Sequence, residues 1–143
     1  MLLAAARIEY APAMAAIHAA CFETPWSESE LCTLLGLPTT VAWIDEFGFL
    51  LCSRVADEME ILTIGVLPEH RRHHVGSSLL SEMIDWAGSV GVKRIFLEVS
   101  VENMPARRLY ERFGFCQTGV RRGYYRTSSG QADALCLTKK ISD

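Results

Sequence analysis

The sequence predicts a single α/β domain over residues 1–143, built as a mixed central β-sheet flanked by helices on both faces. Three observations carry this expectation. The apolar pattern switches between helical spacing and strand-like alternation in a regular order: helices, a meander of strands, then strand and helix alternating to a final pair of strands. A chain of 143 residues can bury one proper core and is too short for two. Half the residues are hydrophobic and 22% are charged, with no repeat, low-complexity tract or linker to divide them.

The elements follow in order. From about Glu9 to Cys21, apolar residues and alanines recur at helical spacing. A second helix is announced at Pro25-Trp26-Ser27-Glu28-Ser29-Glu30, where Ser27 caps the helix, Glu30 reaches back to it, and Trp26 and Leu31 form a hydrophobic staple. Thr40–Asp45 is a short strand, and Glu46-Phe47-Gly48 a turn. Phe49–Val55 and Glu58–Val66 form a hairpin about Ala56-Asp57. Val75, Leu79, Leu80, Met83, Ile84 and Ala87 share one face of the clearest helix, which Gly91 stops. Arg94–Val99 is a strand and Met104–Phe113 a helix ended by Gly114. Phe115–Val120 and Ala134–Ile141 are the last strands, on either side of a loop around Arg126-Thr127-Ser128-Ser129-Gly130.

Composition narrows the function classes. No apolar run approaches the roughly 20 residues of a membrane span, and the opening Met1–Ala6 lacks the basic region of a signal peptide. The five cysteines are scattered among apolar neighbours with no Cys-x-x-Cys pair, which favours a reducing, cytoplasmic setting over disulfide or metal chemistry. Net charge is −3, which argues against a general nucleic-acid binder. Yet Arg71, Arg72, Lys93, Arg94, Arg107, Arg108, Arg112, Arg121, Arg122 and Arg126 crowd the second half, as an anionic ligand there would require.

The segment Val66 to Ser77 joins a strand to the long helix. A helix N-terminus offers unpaired N–H groups and partial positive charge to a phosphate, and Arg71 and Arg72 add cationic donors. Gly76 lets the backbone approach a ligand. The turn is neither a Walker loop nor a Gly-x-Gly-x-x-Gly loop. His70, His73 and His74 have no acidic or cysteine partner at ligand spacing, so no metal is expected.

Further along, Ile95, Leu97 and Val99 point to one face of their strand and Phe96 and Glu98 to the other. A partly buried carboxylate beside a phosphate turn suits a general base; an edge glutamate facing water or pairing with an arginine fits the same pattern. Asn103 can cap the next helix or bind a ligand with its amide. Tyr110 fits either a core tyrosine or a phenol that protonates a leaving thiolate.

Together and in this order, Ile61-Leu62-Thr63-Ile64-Gly65-Val66, Pro68 through Leu80, Leu97-Glu98-Val99 and Asn103 through Phe115 resemble the GNAT superfamily of acetyl-coenzyme A-dependent N-acetyltransferases. Pro25-Trp26-Ser27-Glu28, Arg121-Arg122-Gly123-Tyr124-Tyr125 and Asp133-Ala134-Leu135 make it most similar to the RimI branch, the ribosomal-protein-alanine N-acetyltransferases. The resemblance implies acetyl-CoA as cosubstrate and no metal. Ile64, Gly65 and Val66 would meet the acetyl and pantetheine part. Arg71, Arg72, His73, His74, Val75, Gly76 and Ser77 would wrap the pyrophosphate, and Asn103 would lie near the sulfur. Glu98 matches the general base and Tyr110 the general acid, for direct attack in a ternary complex. Tyr124 and Tyr125 would line the acceptor groove from a loop; plain strand packing is the other reading of them. The implied acceptor is a protein or peptide N-terminus, a ribosomal protein among the candidates, with no nucleic acid or membrane. One departure is His74, which stands where the family pattern has its first glycine.

The acceptor amine follows partly from proton chemistry. With reference pKa values of about 7.7–8.0 for an α-amine and about 10.4 for lysine, far more of the former is neutral at pH 7. A lysine, polyamine or small-molecule acceptor is the nearest rival, and a non-catalytic acyl-CoA-binding module the next.

Overall fold

The computed structural model describes residues 8–22, 24–71, 74–127 and 130–141. A 3-10 turn at Ile8–Tyr10 leads into α1 (Ala11–Cys21), so the helix expected from Glu9 is split. Pro12 accounts for the split, because a residue without an N–H is tolerated in the first turn of a helix and not within one. The expected cap of α2 (Glu28–Leu35) is present in full: Ser27 Oγ accepts from the Glu30 N–H at 3.1 Å, and Glu30 Oε1 accepts from the Ser27 N–H at 3.0 Å.

Three strands follow: β1 (Thr40–Asp45), β2 (Gly48–Val55) and β3 (Glu58–Val66). Next come α3 (Val75–Ser89), β4 (Arg94–Ser100), α4 (Met104–Arg112), β5 (Cys116–Thr127) and β6 (Gly130–Lys140). They form one six-stranded sheet in the order β1-β2-β3-β4-β6-β5, antiparallel except where β3 lies parallel to β4. The α3 crossover creates that parallel pair, as a helical connection must.

The core lies in two layers. Trp43, Leu50, Met59, Ile61, Ile95, Leu97, Leu135 and Leu137 face α3 and α4. On the opposite face Ala42, Ile44, Phe49 and Leu51 meet Met14 and Ile17 of α1 and Leu31 and Leu35 of α2. No helix among the described residues is long and apolar enough to cross a membrane.

The final hairpin is longer than expected. The second strand was expected to stop at Val120, and it continues to Thr127. Two register shifts interrupt the alternation that marks a strand in sequence. At the first, Thr118 is the extra residue between Gln117 and Gly119. At the second, Arg121 opposes Ala134 and Tyr125 opposes Ala132. Gly123 takes φ +61° inside the second bulge, and its N–H donates to Asp133 Oδ1 at 2.8 Å. Ser128 and Ser129 of the expected loop lie outside the described residues.

Candidate active site

The sheet opens in its middle. β3 and β4 pair only from Glu58 opposite Arg94 to Ile61 opposite Leu97. β3 then bulges at Leu62, since Thr63 opposes Leu51 while Ile61 opposes Cys52. Beyond this point β3 runs on to Val66 and β4 to Ser100 with no pairing between them. Backbone donors and acceptors need partners, so the freed edge of Leu62–Val66, including Ile64, Gly65 and Val66, can pair with the amides of an extended ligand. Behind it, Cys21 Sγ donates to the Val66 carbonyl at 3.2 Å and Arg71 Nε donates to the same oxygen at 3.1 Å.

The same edge delivers the chain to the N-terminus of α3. His74 precedes the helix at φ +63° and ψ +17°, the left-handed region that favours glycine. Val75 is buried, and Gly76 and Ser77 are half-buried at the helix start. A Cβ on Gly76 would stand 3.1 Å from Leu109 Cδ2, so this glycine also lets α4 come close to α3. Arg72 and His73 lie outside the described residues. Asn103 caps α4, its Oδ1 accepting from the Ala106 N–H at 3.3 Å. Among the described residues no group of three or more His, Cys, Asp or Glu is arranged to hold a metal.

On the far side of the opening, β4 alternates as its sequence requires, with Ile95, Leu97 and Val99 buried and Phe96 and Glu98 half-buried on the other face. Glu98 is ion-paired: Arg121 Nη1 lies 2.9 Å from its Oε1 and 3.2 Å from its Oε2. The Arg121 guanidinium also lies over the Tyr124 ring, 4.0 Å from its centroid. Tyr125 meets Tyr124 edge-on, and its hydroxyl donates to the Glu98 carbonyl at 3.2 Å. Burial first, and then the Glu98 charge, push the Tyr125 phenol up to about 12. Both tyrosines belong to the bulged part of β5 rather than to a loop, because the bulge lets the strand resume pairing at Tyr125. Tyr124 is half exposed, at 50%.

Tyr110 is buried in α4 and packs edge-on against Phe115. Burial pushes its phenol well up, and Cys52 and Tyr125 act on it in the same direction.

Sequence reasoning missed two groups here. Arg121 was counted among the basic residues of the second half and in the Arg121–Tyr125 motif, without a role at the site; its place beside Glu98 depends on β6 lying between β4 and β5. Glu60 shows in β3 the same alternation that singled out Glu98, between buried Met59 and Ile61. Burial, with a contribution from Glu98, holds the Glu60 carboxyl above its ordinary range.

Comparisons with known proteins agree with this geometry. Residues 11–115 match the model of the acetyltransferase (GNAT) family. The ribosomal protein bS18-alanine N-acetyltransferase of Escherichia coli strain K12 is 34% identical over 122 residues, 82% of each chain. The crystal structure of the ribosomal-protein-S18-alanine N-acetyltransferase from Escherichia coli superposes with a TM-score of 0.92 at 29% identity, covering 100% of this chain and 96% of that one. Arabidopsis thaliana NAA60, crystallised with acetyl-CoA, shares the fold at a TM-score of 0.83 and 18% identity, over 99% of this chain and 98% of its own. With its sheet opened between β3 and β4 and its whole length matched in this way, the chain belongs to the GNAT family of acetyltransferases.

Proposed function

We propose that the chain transfers an acetyl group from acetyl-CoA to the N-terminal α-amine of a protein, in the cytoplasm, with an alanine-initiated ribosomal protein as acceptor. The observation that carries this reading is the freed edge of β3 facing a carboxylate, Glu98, across the opening. Likeness to the Escherichia coli bS18-alanine enzyme along the chain supports the choice of acceptor. All five cysteines are free, which suits a reducing compartment.

Acetyl-CoA brings an acetyl group already activated as a thioester. Ile64, Gly65 and Val66 hold its amides along the β3 edge. Arg71, Arg72 and the turn from His73 to Ser77 hold its phosphates with cationic donors and the N–H groups of the α3 N-terminus. Asn103, exposed at the start of α4, lies toward the sulfur end. Tyr124 and Tyr125 flank the acceptor beside Glu98. Glu98 takes the proton from the incoming amine, and Tyr110 donates one to the departing sulfur, so the amine attacks the acetyl carbon directly.

A thiol-release assay with two alanine-initiated, C-terminally amidated hexapeptides tests this. One has a free N-terminus and no lysine; the other has a blocked N-terminus and one lysine. Turnover is expected on the free N-terminus only, and Tyr110→Phe lowers it while acetyl-CoA still binds by calorimetry. Turnover on the blocked peptide alone would move the acceptor to the lysine class. Binding without turnover on either would make the chain a binding module.

A further inference from the structure

At the end of the β3–β4 ladder, bordering the opening, stands a second carboxylate that the proposed mechanism does not use. Glu60 lies on β3 one residue before Ile61, where the ladder to β4 ends. Met59 and Ile61 face α3, so Glu60 faces the other way, as Glu98 does with Leu97 and Val99 buried on the α3 side. Glu60 stands opposite Phe96, and Glu98 is the next residue along that face of β4. With strands about 4.8 Å apart and a rise of about 3.3 Å per residue, such diagonal neighbours on a parallel pair lie about 8 Å apart at their backbones, within reach of two glutamate side chains.

The surroundings separate the two carboxylates. Arg121 reaches Glu98 and stacks on Tyr124. Among the described residues no cation is ion-paired with Glu60: Arg94, the basic residue of β4 on its other side, is engaged by Glu58 and lies over the Phe96 ring. On β2 the residue opposite Glu60 is the uncharged Ser53. Across β4, Thr138 of β6 follows Phe96 on the same face, with Lys140 beyond it opposite Arg94. The buried residues of α1 and α2 over this side of the sheet are Ala11, Met14, Ile17, Leu31 and Leu35, with His18 the titratable one, stacked on Phe22 and Trp26. Half-burial without a cation favours the protonated form of a carboxyl, and a like charge beside it favours that form further; both act on Glu60.

We propose that Glu60 is a positioning residue of this site, forming a coupled carboxylate pair with Glu98 and holding the proton that the acceptor amine gives up through Glu98. The inference rests on the acetyl-transfer reading above. The acceptor arrives as an ammonium ion and loses one proton to Glu98 before its lone pair can form the N–C bond. That proton passes to Glu60, and Glu98 returns to its ion pair with Arg121. As the N–C bond forms and the C–S bond breaks, sulfur leaves with the bonding pair and takes a proton from Tyr110. The nitrogen's second proton restores Tyr110 through solvent. Each turnover thus delivers one net proton, from Glu60 to water. Two carboxylates in different surroundings divide the work as such pairs do, one staying ionised while the other holds the proton.

The test is a carboxyl 13C titration of the full chain, as wild type and as Glu98→Gln, with pH–rate profiles alongside. Glu60 is expected to titrate above the roughly 4.3 of an unperturbed glutamate and to fall by about half a pH unit or more in Glu98→Gln. Glu60→Gln is expected to lower kcat about tenfold at pH 7 and displace the acid limb of the profile, with KM for acetyl-CoA within about twofold. Glu60→Asp should restore most of the rate. An ordinary Glu60 titration that ignores Glu98→Gln would overturn the pairing, and so would a Glu60→Gln profile matching wild type. Because the titration needs no acceptor, a wild-type chain inactive on every peptide would defeat the acetyl-transfer reading while the carboxyl pair is still judged on its own.

Discussion

The two halves of the sheet are built to different ends. Strands β1 to β3 are covered twice, by α3 on one face and by α1 with α2 on the other, and Trp43, Phe49, Leu50, Leu51 and Met59 are fully buried there. Strands β4 to β6 bury their large apolar side chains toward α3 and α4, through Ile95, Leu97, Val99, Leu135 and Leu137, while the buried residues of β6 on the other face are the small Ala132 and Ala134. Their other face carries Phe96, Glu98, Thr118, Cys136 and Thr138, which line a shallow cleft of about 190 Å³. Two-sided burial makes a rigid wall; one-sided burial leaves room for charged side chains that chemistry requires. The candidate site lies along the seam where the two halves part company, beyond Ile61 and Leu97.

Substitutions should separate the halves, beginning with the largest effect. Phe49→Ala empties a fully buried site in the doubly covered half and should cost about 3–5 kcal/mol of stability in denaturant unfolding. A loss below about 1 kcal/mol would mean that this half is not the structural anchor. Glu98→Gln in the singly covered half should do the reverse. Turnover should fall about a hundredfold, within the usual range for losing a proton-transfer group, while the unfolding midpoint hardly moves. Normal turnover would place the chemistry elsewhere.

Smaller effects sharpen the contrast. Ser27→Ala removes the side-chain half of a reciprocal cap at the start of α2, the Oγ that accepts from the Glu30 N–H, and should cost about 1 kcal/mol, read as a lowered Tm. His74→Gly relieves a left-handed residue at the α3 N-terminus. Stability should rise by up to about 1 kcal/mol, with acetyl-CoA binding equal or tighter; a large loss of affinity would show that the imidazole itself is needed.

His18 adds a pH dependence to the doubly covered half. It is buried between Phe22 and Trp26, and its Nδ1 accepts from the Trp26 N–H at 3.0 Å. Burial lowers its pKa, with Glu30 opposing. The unfolded chain therefore binds this proton more readily than the folded one. The stabilisation is fully present above the unfolded value of about 6.5 and is lost as pH falls toward the lower folded value. Unfolding at pH 7.5 and pH 5.5 checks it: His18→Gln should flatten the decline, and an unchanged slope would assign the decline to other groups.

Much of this molecule is local and was legible in residue order. The α2 capping box is written in Ser27 and Glu30, three positions apart, and the alternation of β4 shows which face Glu98 occupies. The left-handed turn at His74 is legible too, since the residue stands at a family glycine position. Where a bulge breaks the period of two, the reading stopped early: β5 was expected to end at Val120, and only pairing with β6 shows that the strand continues.

The encounters between distant segments were decided by the tertiary structure alone. Glu98 and Arg121 are brought together only because β6 is inserted between their strands. Glu60 joins them because a parallel crossover lays β3 beside β4 and then lets the two diverge. Spacing along a chain sets period, caps and turns, because those depend on bonds a few residues away. Which carboxylate meets which guanidinium depends on strand order and register, and those follow from burying the whole set of apolar faces at once.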